Sequence, residues 1–385
     1  MLVVRYDIGR FEPARVLSAG ARFDHVRGYG RDRLIAVGTR GDRYPYRTHR
    51  GRAFAAFGRL AEGFARSREL GPRGLSSYVV ALDVNRSGDA AVLLTVSEAD
   101  RGPRIGVPYL VVRRAGRSFG RPLRLSTGGP SYGDVAVNDR GDVLVTWRRP
   151  VDGTTGEVDI NARLRTAGGR LGSVRRIGGD STATGLSAGL GDDRRAVVAW
   201  SHQALSEGEA GGAIVRAAAA PAGGRFGRAR VLETVRVNRY IGGVGVRAAV
   251  ARDGRPIVAW TGVLSGRFVV RAASVEGSRV GPAQLVSDPA QETVLSDLAT
   301  GPRGEAVFIG LQGPRGDDSP GPVSLVAAAR APGAAAFGAP EVIEGPGRYV
   351  DPRAAFDPAT GRAVVVWTDF GRGAAITSAS REPLP

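Results

Sequence analysis

Asn138-Asp139-Arg140-Gly141-Asp142-Val143-Leu144-Val145-Thr146-Trp147 is a turn followed by a strand-like run that ends on tryptophan. The pattern recurs. All four tryptophans, Trp147, Trp200, Trp260 and Trp367, fall six residues after the same turn position, which is Gly141, Arg194, Gly254 and Gly361. Such a coincidence marks an internal repeat, and a fixed period overrides the two or three domains that a chain of 385 residues would otherwise suggest.

A second marker interleaves with the first. An aromatic or aliphatic residue, usually followed by glycine, stands at Phe11, Phe64, Phe119, Leu171, Phe226, Val280 and Phe337, separated by 53, 55, 52, 55, 54 and 57 positions. The turn marker also occurs seven times, near Gly30, Gly88, Gly141, Arg194, Gly254, Gly304 and Gly361. Each unit reads as four short strands, a to d. In the third unit these are Tyr132 to Val137, Asp142 to Trp147, Val158 to Arg165 and Gly172 to Ile177, with period-2 alternation in b and c and glycine turns between them.

The expected fold is all-β: a seven-bladed propeller of four-stranded antiparallel blades, one domain over residues 1–385. The repeats run approximately 21–74, 75–128, 129–180, 181–235, 236–288, 289–345, and 346–385 completed by 1–20. A twisted four-stranded sheet buries its two faces only against neighbours, which stacking around an axis supplies. Small residues suit the crowded axis, as in Ser187-Ala188-Gly189 and Ala248-Ala249-Val250. The strand holding Phe11 to Leu17 is expected to complete the last blade, removing sheet edges. Either Leu2 to Ile8 or Ala374 to Ser380 then takes its c position.

The Asp-x-x-Gly-x-x-x-Val-x-Trp pattern resembles the repeats of little-characterised seven-bladed propellers of high-GC bacteria. The likeness covers nearly the whole chain and implies architecture without chemistry. The sialidase Asp-box spaces its tryptophan differently, and the signatures of kelch and tryptophan-aspartate repeats are missing.

Cysteine is absent, so no disulfide, thiolate metal site or cysteine nucleophile exists. The net charge is +17, and each of the 54 Lys+Arg positions is arginine, which together with abundant Ala and Gly points to coding bias as much as to a polyanion partner. Arginines gather in the outer strands, at Arg113, Arg114, Arg117, Arg121 and Arg124, at Arg163, Arg165, Arg170, Arg175 and Arg176, and at Arg216, Arg225, Arg228 and Arg230. Charge there blocks edge pairing, and the same rim could hold an anionic polymer. No transmembrane run of ~20 apolar residues and no secretory segment is visible. The compartment is expected to be secreted or cell-envelope if Met1 follows a truncation, cytoplasmic otherwise. The expected oligomeric state is monomer.

The b–c connections vary between units, at Ser97 to Gly106, Arg148 to Glu157, Ser201 to Gly212, Thr261 to Gly266 and Gln312 to Gly321, whereas the a–b and c–d turns stay alike. Varied loops on a rigid frame carry binding surfaces. Counting seven back from the turn gives Asp134, Arg247 and Asp297, and a turn one residue longer adds Arg353. These four could line a channel. Tyr78, Tyr132, Tyr240 and Tyr349 precede strand a and could serve recognition or fill space. His25, His49 and His202 sit without a second histidine at metal-ligand spacing and read as surface residues. No cofactor or metal motif appears, and adjacent carboxylates such as Asp192-Asp193 are poorly placed for acid–base work. The leading expectation is a non-enzymatic binding or scaffold propeller that presents a protein or glycan partner on its b–c and d–a loop face. The alternative is a glycan hydrolase with its site at the channel mouth.

Overall fold

A computed structural model describes residues 15–18, 23–30, 32–40, 51–59, 62–65, 67–97, 106–126, 132–151, 157–181, 183–204, 212–236, 244–313, 322–356, 361–369 and 375–381. Their strands form seven antiparallel sheets. Taken from inner strand to outer, the first holds His25–Tyr29, Arg33–Arg40, Arg52–Arg59 and Gly63–Phe64, with Arg68–Glu69 also on the third strand. The second holds Ser76–Val84, Ala90–Ser97, Val107–Arg113 and Leu123–Arg124, and the third Gly133–Val137, Val143–Pro150, Glu157–Arg165 and Arg175–Ser181. Ala183–Leu190, Ala196–Ala204, Gly212–Ala220 and Arg230–Arg236 make the fourth. Val246–Val250, Pro256–Leu264, Arg267–Glu276 and Arg279–Val280 make the fifth, with Gln284–Leu285 added. The sixth is Thr293–Thr300, Ala306–Gln312, Val323–Arg330 and Glu341–Gly347. Tyr349–Phe356, Ala363–Asp369 and Ala375–Arg381 form the seventh, and its outer strand is Arg15–Ser18 from the other end of the chain. The architecture is an all-β propeller of four-stranded antiparallel blades.

The third position of the seventh sheet therefore belongs to Ala375–Arg381. Leu2 to Ile8 and the Phe11 end of the expected closing strand lie outside the described residues. Among the described residues no helix is long and apolar enough to cross a membrane.

The turn marker is a backbone requirement. Gly30, Gly88, Gly141, Gly254, Gly304 and Gly361 all have positive φ, between 60° and 96°, and so does Arg194, at 66°. Glycine takes this conformation freely, and any other residue pays about 1 to 2 kcal/mol. Arg194 turns its position to use, for its Nε donates to Asp142 Oδ2 of the preceding sheet at 2.9 Å. Asn138 and Asp142 act on both sides of the turn. Asn138 Oδ1 accepts the Asp142 N–H at 2.9 Å, its Nδ2 donates to Gly191 O of the next sheet at 3.0 Å, and Asp142 Oδ1 accepts Ala167 N–H of the c–d turn at 2.7 Å. Asn85 and Asp89 repeat the arrangement one sheet earlier.

The second strand of each blade departs from the alternating reading. Val143 to Trp147 are buried throughout, as are Ala90 to Ser97, because both faces meet neighbouring sheets. The polar member Thr146 satisfies its hydroxyl on Asn161 O at 2.9 Å. The four tryptophans are among the largest fully buried side chains. Each packs on the sheet before its own: Trp147 on Leu93 and Leu110, Trp200 on Leu144 and Ile160, Trp260 on Val197 and Val215, Trp367 on Val307 and Ile309.

The second marker is seated differently from the expected strand d. Phe119 and Leu171 make single bridges to Arg113 and Arg165. The outer strands start later, at Leu123 and Arg175 rather than Gly172. Phe119 and Phe337 are buried, so the marker plugs the core where the chain turns outward. Part of the arginine rim is also structural. Arg113 is buried, lies 5.6 Å over Tyr29 and 4.9 Å over Phe57 of the first sheet, and bonds Gly88 O and Arg117 O. Arg121, Arg124, Arg170, Arg175, Arg228 and Arg230 are exposed.

Candidate functional site: the central channel

The inner strands of all seven sheets line one cavity of about 360 Å³ that continues to the a–b turns. Strand pairing identifies the residues that share its level. Asp134 pairs with Thr146, the residue before Trp147; the same position is Ser187 opposite Ala199, Arg247 opposite Ala259, Asp297 opposite Ile309 and Arg353 opposite Val366. In the first two sheets it is His25 opposite Val37 and Ala81 opposite Leu93. Arg27 and Asp83 lie two residues nearer the turn, on the same channel-facing side of their strands.

The structure thus brings Asp134, Arg247, Asp297 and Arg353 together around the cavity and adds His25, Arg27, Asp83 and Ser187. His25 is a correction to the surface reading. Only three residues separate the paired ends Tyr29 and Arg33 of the first turn, against five between Val137 and Val143, so a count from the turn overshoots it. His202 is buried as well. His49 lies outside the described residues.

The polar side chains of the ring tie successive sheets together. Asp134 Oδ2 accepts both Ser187 Oγ–H at 2.9 Å and Ala188 N–H at 3.0 Å. Ser187 Oγ in turn accepts Ala248 N–H at 3.0 Å, and Asp297 Oδ2 accepts Ala354 N–H at 2.9 Å. Asp83 Oδ2 takes Val137 N–H at 2.7 Å, one pleat nearer the turns. An unsatisfied buried N–H is costly, and in the second, third, fourth and sixth sheets a channel side chain accepts one from the next sheet's backbone.

Arginine occupies the rest of the ring. Arg247 Nε stands 3.4 Å from Asp297 Oδ1, Arg27 Nη1 3.7 Å from Asp297 Oδ2, and Arg27 Nε 4.0 Å from Asp83 Oδ1. Three guanidiniums are further anchored on backbone carbonyls, Arg27 Nη1 on Val26 O at 3.3 Å, Arg247 Nη1 on Val246 O at 2.8 Å and Arg353 Nη1 on Ser296 O at 3.1 Å.

This electrostatic setting splits the acids. Burial raises the Asp83 carboxyl to about 6, with Arg27 opposing. Burial also raises Asp134, against the N–H of Ala188 and the charge of Arg247. At Asp297 burial acts in the same sense, but Arg27, Arg353 and Arg247 together override it and hold the carboxyl below its ordinary value. His25 is driven well below the usual imidazole range by burial and then by Arg353 and Arg27, and its Nε2 is 3.0 Å from Val80 O. It is neutral at pH 7.

The tyrosines do not converge. Tyr349 is buried edge-on to Trp367 at 6.3 Å and its hydroxyl donates to Gly345 O at 2.6 Å. Tyr78 is half-buried against Gly51. Tyr132 is 59% exposed, with the Arg148 guanidinium 4.1 Å over its ring. Tyr240 lies outside the described residues. So do most of the variable b–c connections, including 98–105, 152–156, 205–211 and 314–321. In the fifth sheet the strands run to Leu264 and from Arg267, leaving a two-residue turn, Ser265-Gly266, with φ of 50° and 79°. Among the described residues no group of three or more His, Asp or Glu is placed to hold a metal ion.

No protein-family model matches the chain, and no curated protein matches it. Solved structures do. A puromycin hydrolase superposes with a TM-score of 0.54 at 17% identity over 94% of this chain and 54% of its own. The polysaccharide lyase Uly1 gives 0.53 at 11% identity over 96% and 91% of the two chains, and a prolyl endopeptidase 0.51 at 11% over 97% and 49%. The chain spans about half the length of the hydrolase and of the endopeptidase. At these identities the likeness is one of fold: the chain is similar in architecture to the propellers of proteins with different activities.

Proposed function

We propose that residues 1–385 form one closed seven-bladed domain that works as a non-enzymatic binding or scaffold module. Ring closure is supported by the pairing of Arg15–Ser18 with Ala375–Arg381 and by the packing of Val26 and Leu34 of the first sheet against Val366 of the seventh. The observation that carries the functional reading is the use of the channel carboxylates. Asp83, Asp134 and Asp297 each accept a backbone N–H from the following sheet, which spends on fastening the groups that acid–base chemistry would need to move. A protein or glycan partner would be held on the face of the b–c and d–a connections, where Tyr132 offers an exposed ring stiffened by Arg148. The exposed outer arginines would add attraction to an anionic polymer, with affinity that falls steeply as salt rises.

One observation favours hydrolysis instead. Asp83 and Asp134 both line the cavity with raised carboxyls, and such groups can serve as general acids near neutrality. The full chain on a glycan array, paired with a reducing-end assay on every glycan retained, separates the two. Retention without turnover is expected. Turnover that disappears in Asp83→Asn or Asp134→Asn would overturn the binding reading and establish a hydrolase.

A further inference from the structure

The residue after the tryptophan position has a fastening role in the first, fourth and fifth sheets. Thr39 Oγ1 accepts Val79 N–H at 3.1 Å, Ser201 Oγ donates to Val244 O at 2.7 Å, and Thr261 Oγ1 accepts Leu295 N–H at 3.0 Å. Each bond reaches the chain that forms or enters the next sheet's inner strand. In the third sheet the position is Arg148, and it fastens nothing. Among the described residues its side chain makes no ion pair and no hydrogen bond. What it touches is Tyr132, whose ring centre lies 4.1 Å from the guanidinium carbon. Burial lowers the Arg148 pKa, Tyr132 opposes, and among the described residues no carboxylate acts on its charge. Asp159, the buried acid of the adjacent strand, is engaged elsewhere. It pairs across the sheet with Arg149, whereas Arg148 pairs with Ile160, so alternation sets Asp159 and Arg148 on opposite faces. There Asp159 binds Arg149 at 3.0 Å and Arg176 at 2.5 Å. On the Arg148 face the row runs outward through Ile160 to Gly178, where a side chain would meet Trp200 of the fourth sheet at 2.7 Å. An indole thus closes the outer end, and the inner end is open at the exposed Tyr132. Arg148 is only partly buried: its Nε is shut in without an acceptor, and its Nη groups are the donors left at the surface beside the ring.

We propose that Tyr132 and Arg148 form a subsite for a uronate-bearing glycan chain, with a carboxylate on the Arg148 Nη groups and a pyranose of the same chain on the free face of the Tyr132 ring. The proposal rests on the loop-face reading and names its ligand. A planar guanidinium matches a planar carboxylate, and an aromatic ring backed by a cation keeps a flat apolar face and a hydroxyl ready for a sugar. An acidic peptide would supply the charge but no flat body for the ring.

The test is isothermal titration of the full chain with oligogalacturonate, oligoglucuronate, the methyl ester of each, and an oligoglutamate of equal charge, all at one ionic strength. At least one uronate oligomer should bind saturably, its neutral ester about tenfold more weakly, and oligoglutamate more weakly than that oligomer. Arg148→Gln should lose about the same tenfold toward the uronate and nothing toward the ester. It should hold Tm close to the parent, because the side chain has no structural partner to lose. Tyr132→Ala should weaken uronate and ester alike, and Tyr132→Phe should retain both. Arg140→Gln, an equal charge change at the exposed a–b turn of the same sheet, should change nothing. No saturable binding of either uronate, equal binding of ester or oligoglutamate, or an equal loss in Arg140→Gln would each overturn the proposal. A glycan-array partner that Arg148→Gln and Tyr132→Ala both retain in full would overturn this subsite alone. Release of reducing ends from a uronate bound through Arg148 would instead overturn the non-enzymatic reading and leave the subsite standing.

Discussion

Two arcs of the same channel solve the same packing problem with opposite chemistry. Along the second to fourth sheets, Asp83, Asp134 and Ser187 hand their oxygens to the next sheet's backbone N–H. From the fifth sheet round to the first, Arg247, Arg353 and His25 stand at the equivalent level with Arg27 beside it, and Asp297 accepts the N–H of Ala354. An acceptor can fasten the neighbouring backbone directly, whereas arginine has only donors and must turn to carbonyls or to a carboxylate. The first arc fastens the next sheet directly, and in the second the arginines turn to backbone carbonyls and to Asp297.

Removing Asp297 should have the largest effect, because it strips the carboxylate on which Arg27, Arg353 and Arg247 all act and orphans Ala354 N–H. Asp297→Ala should lose about 3 to 5 kcal/mol in urea unfolding, and a loss below about 1 kcal/mol would deny Asp297 its place between the arcs. Asp134→Ala should cost about 1 to 3 kcal/mol, since Ser187 Oγ–H and Ala188 N–H lose their acceptor without any guanidinium being exposed. Ser187→Ala should cost about 1 kcal/mol. Combined with Asp134→Ala it should show a coupling of at least about 0.5 kcal/mol, whereas strict additivity would mean that the two do not form one chain of bonds.

The smallest effect is a pH slope. Asp83 has a folded-state pKa raised to about 6, so between the ordinary carboxylate range and pH 6 the folded protein holds the extra proton. Its contribution to stability therefore falls as pH rises through that window. Asp83→Asn should raise Tm relative to the parent above pH 6, with the difference shrinking toward pH 4. A difference of constant size across that range would remove the assignment. His25 works in the other direction: its lowered pKa withdraws stability as pH falls through the unfolded value near 6.5.

Much of the fold was legible because its signals are strict backbone or volume demands. The turn glycine answers a positive φ, and the indole six residues on must fill the gap to the preceding sheet, so spacing survives where composition drifts. Where Leu94 and Gly310 take the tryptophan position, six residues after Gly88 and Gly304, only the turn marker carries the register, and in the first sheet even that slips, since Gly38 lies eight residues after Gly30. The ring was partly legible for the same reason. A constant count reaches Asp134, Arg247 and Asp297, and fails at His25, whose turn is shorter. It passes over Arg27 and Asp83, which face the channel from the next pleat. The roles of Asn138 and Asp142 were hidden because a turn-forming residue and a residue that bonds the neighbouring sheet look alike in one dimension. Likewise Tyr349 and Tyr132 look alike ahead of the turn, yet Tyr349 is the first paired residue of its strand, opposite Asp369, and is buried, while Tyr132 stands before the pairing begins at Gly133 and is exposed.

The central claim is that channel carboxylates hold the next blade's backbone. Amide hydrogen exchange at Ala188, read in the parent and in Asp134→Ala, tests it most directly. The account predicts a protected amide in the parent that exchanges much faster in the variant, while Ala354, held by Asp297, keeps its protection. Unchanged exchange at Ala188, or equal acceleration at both amides, would contradict it.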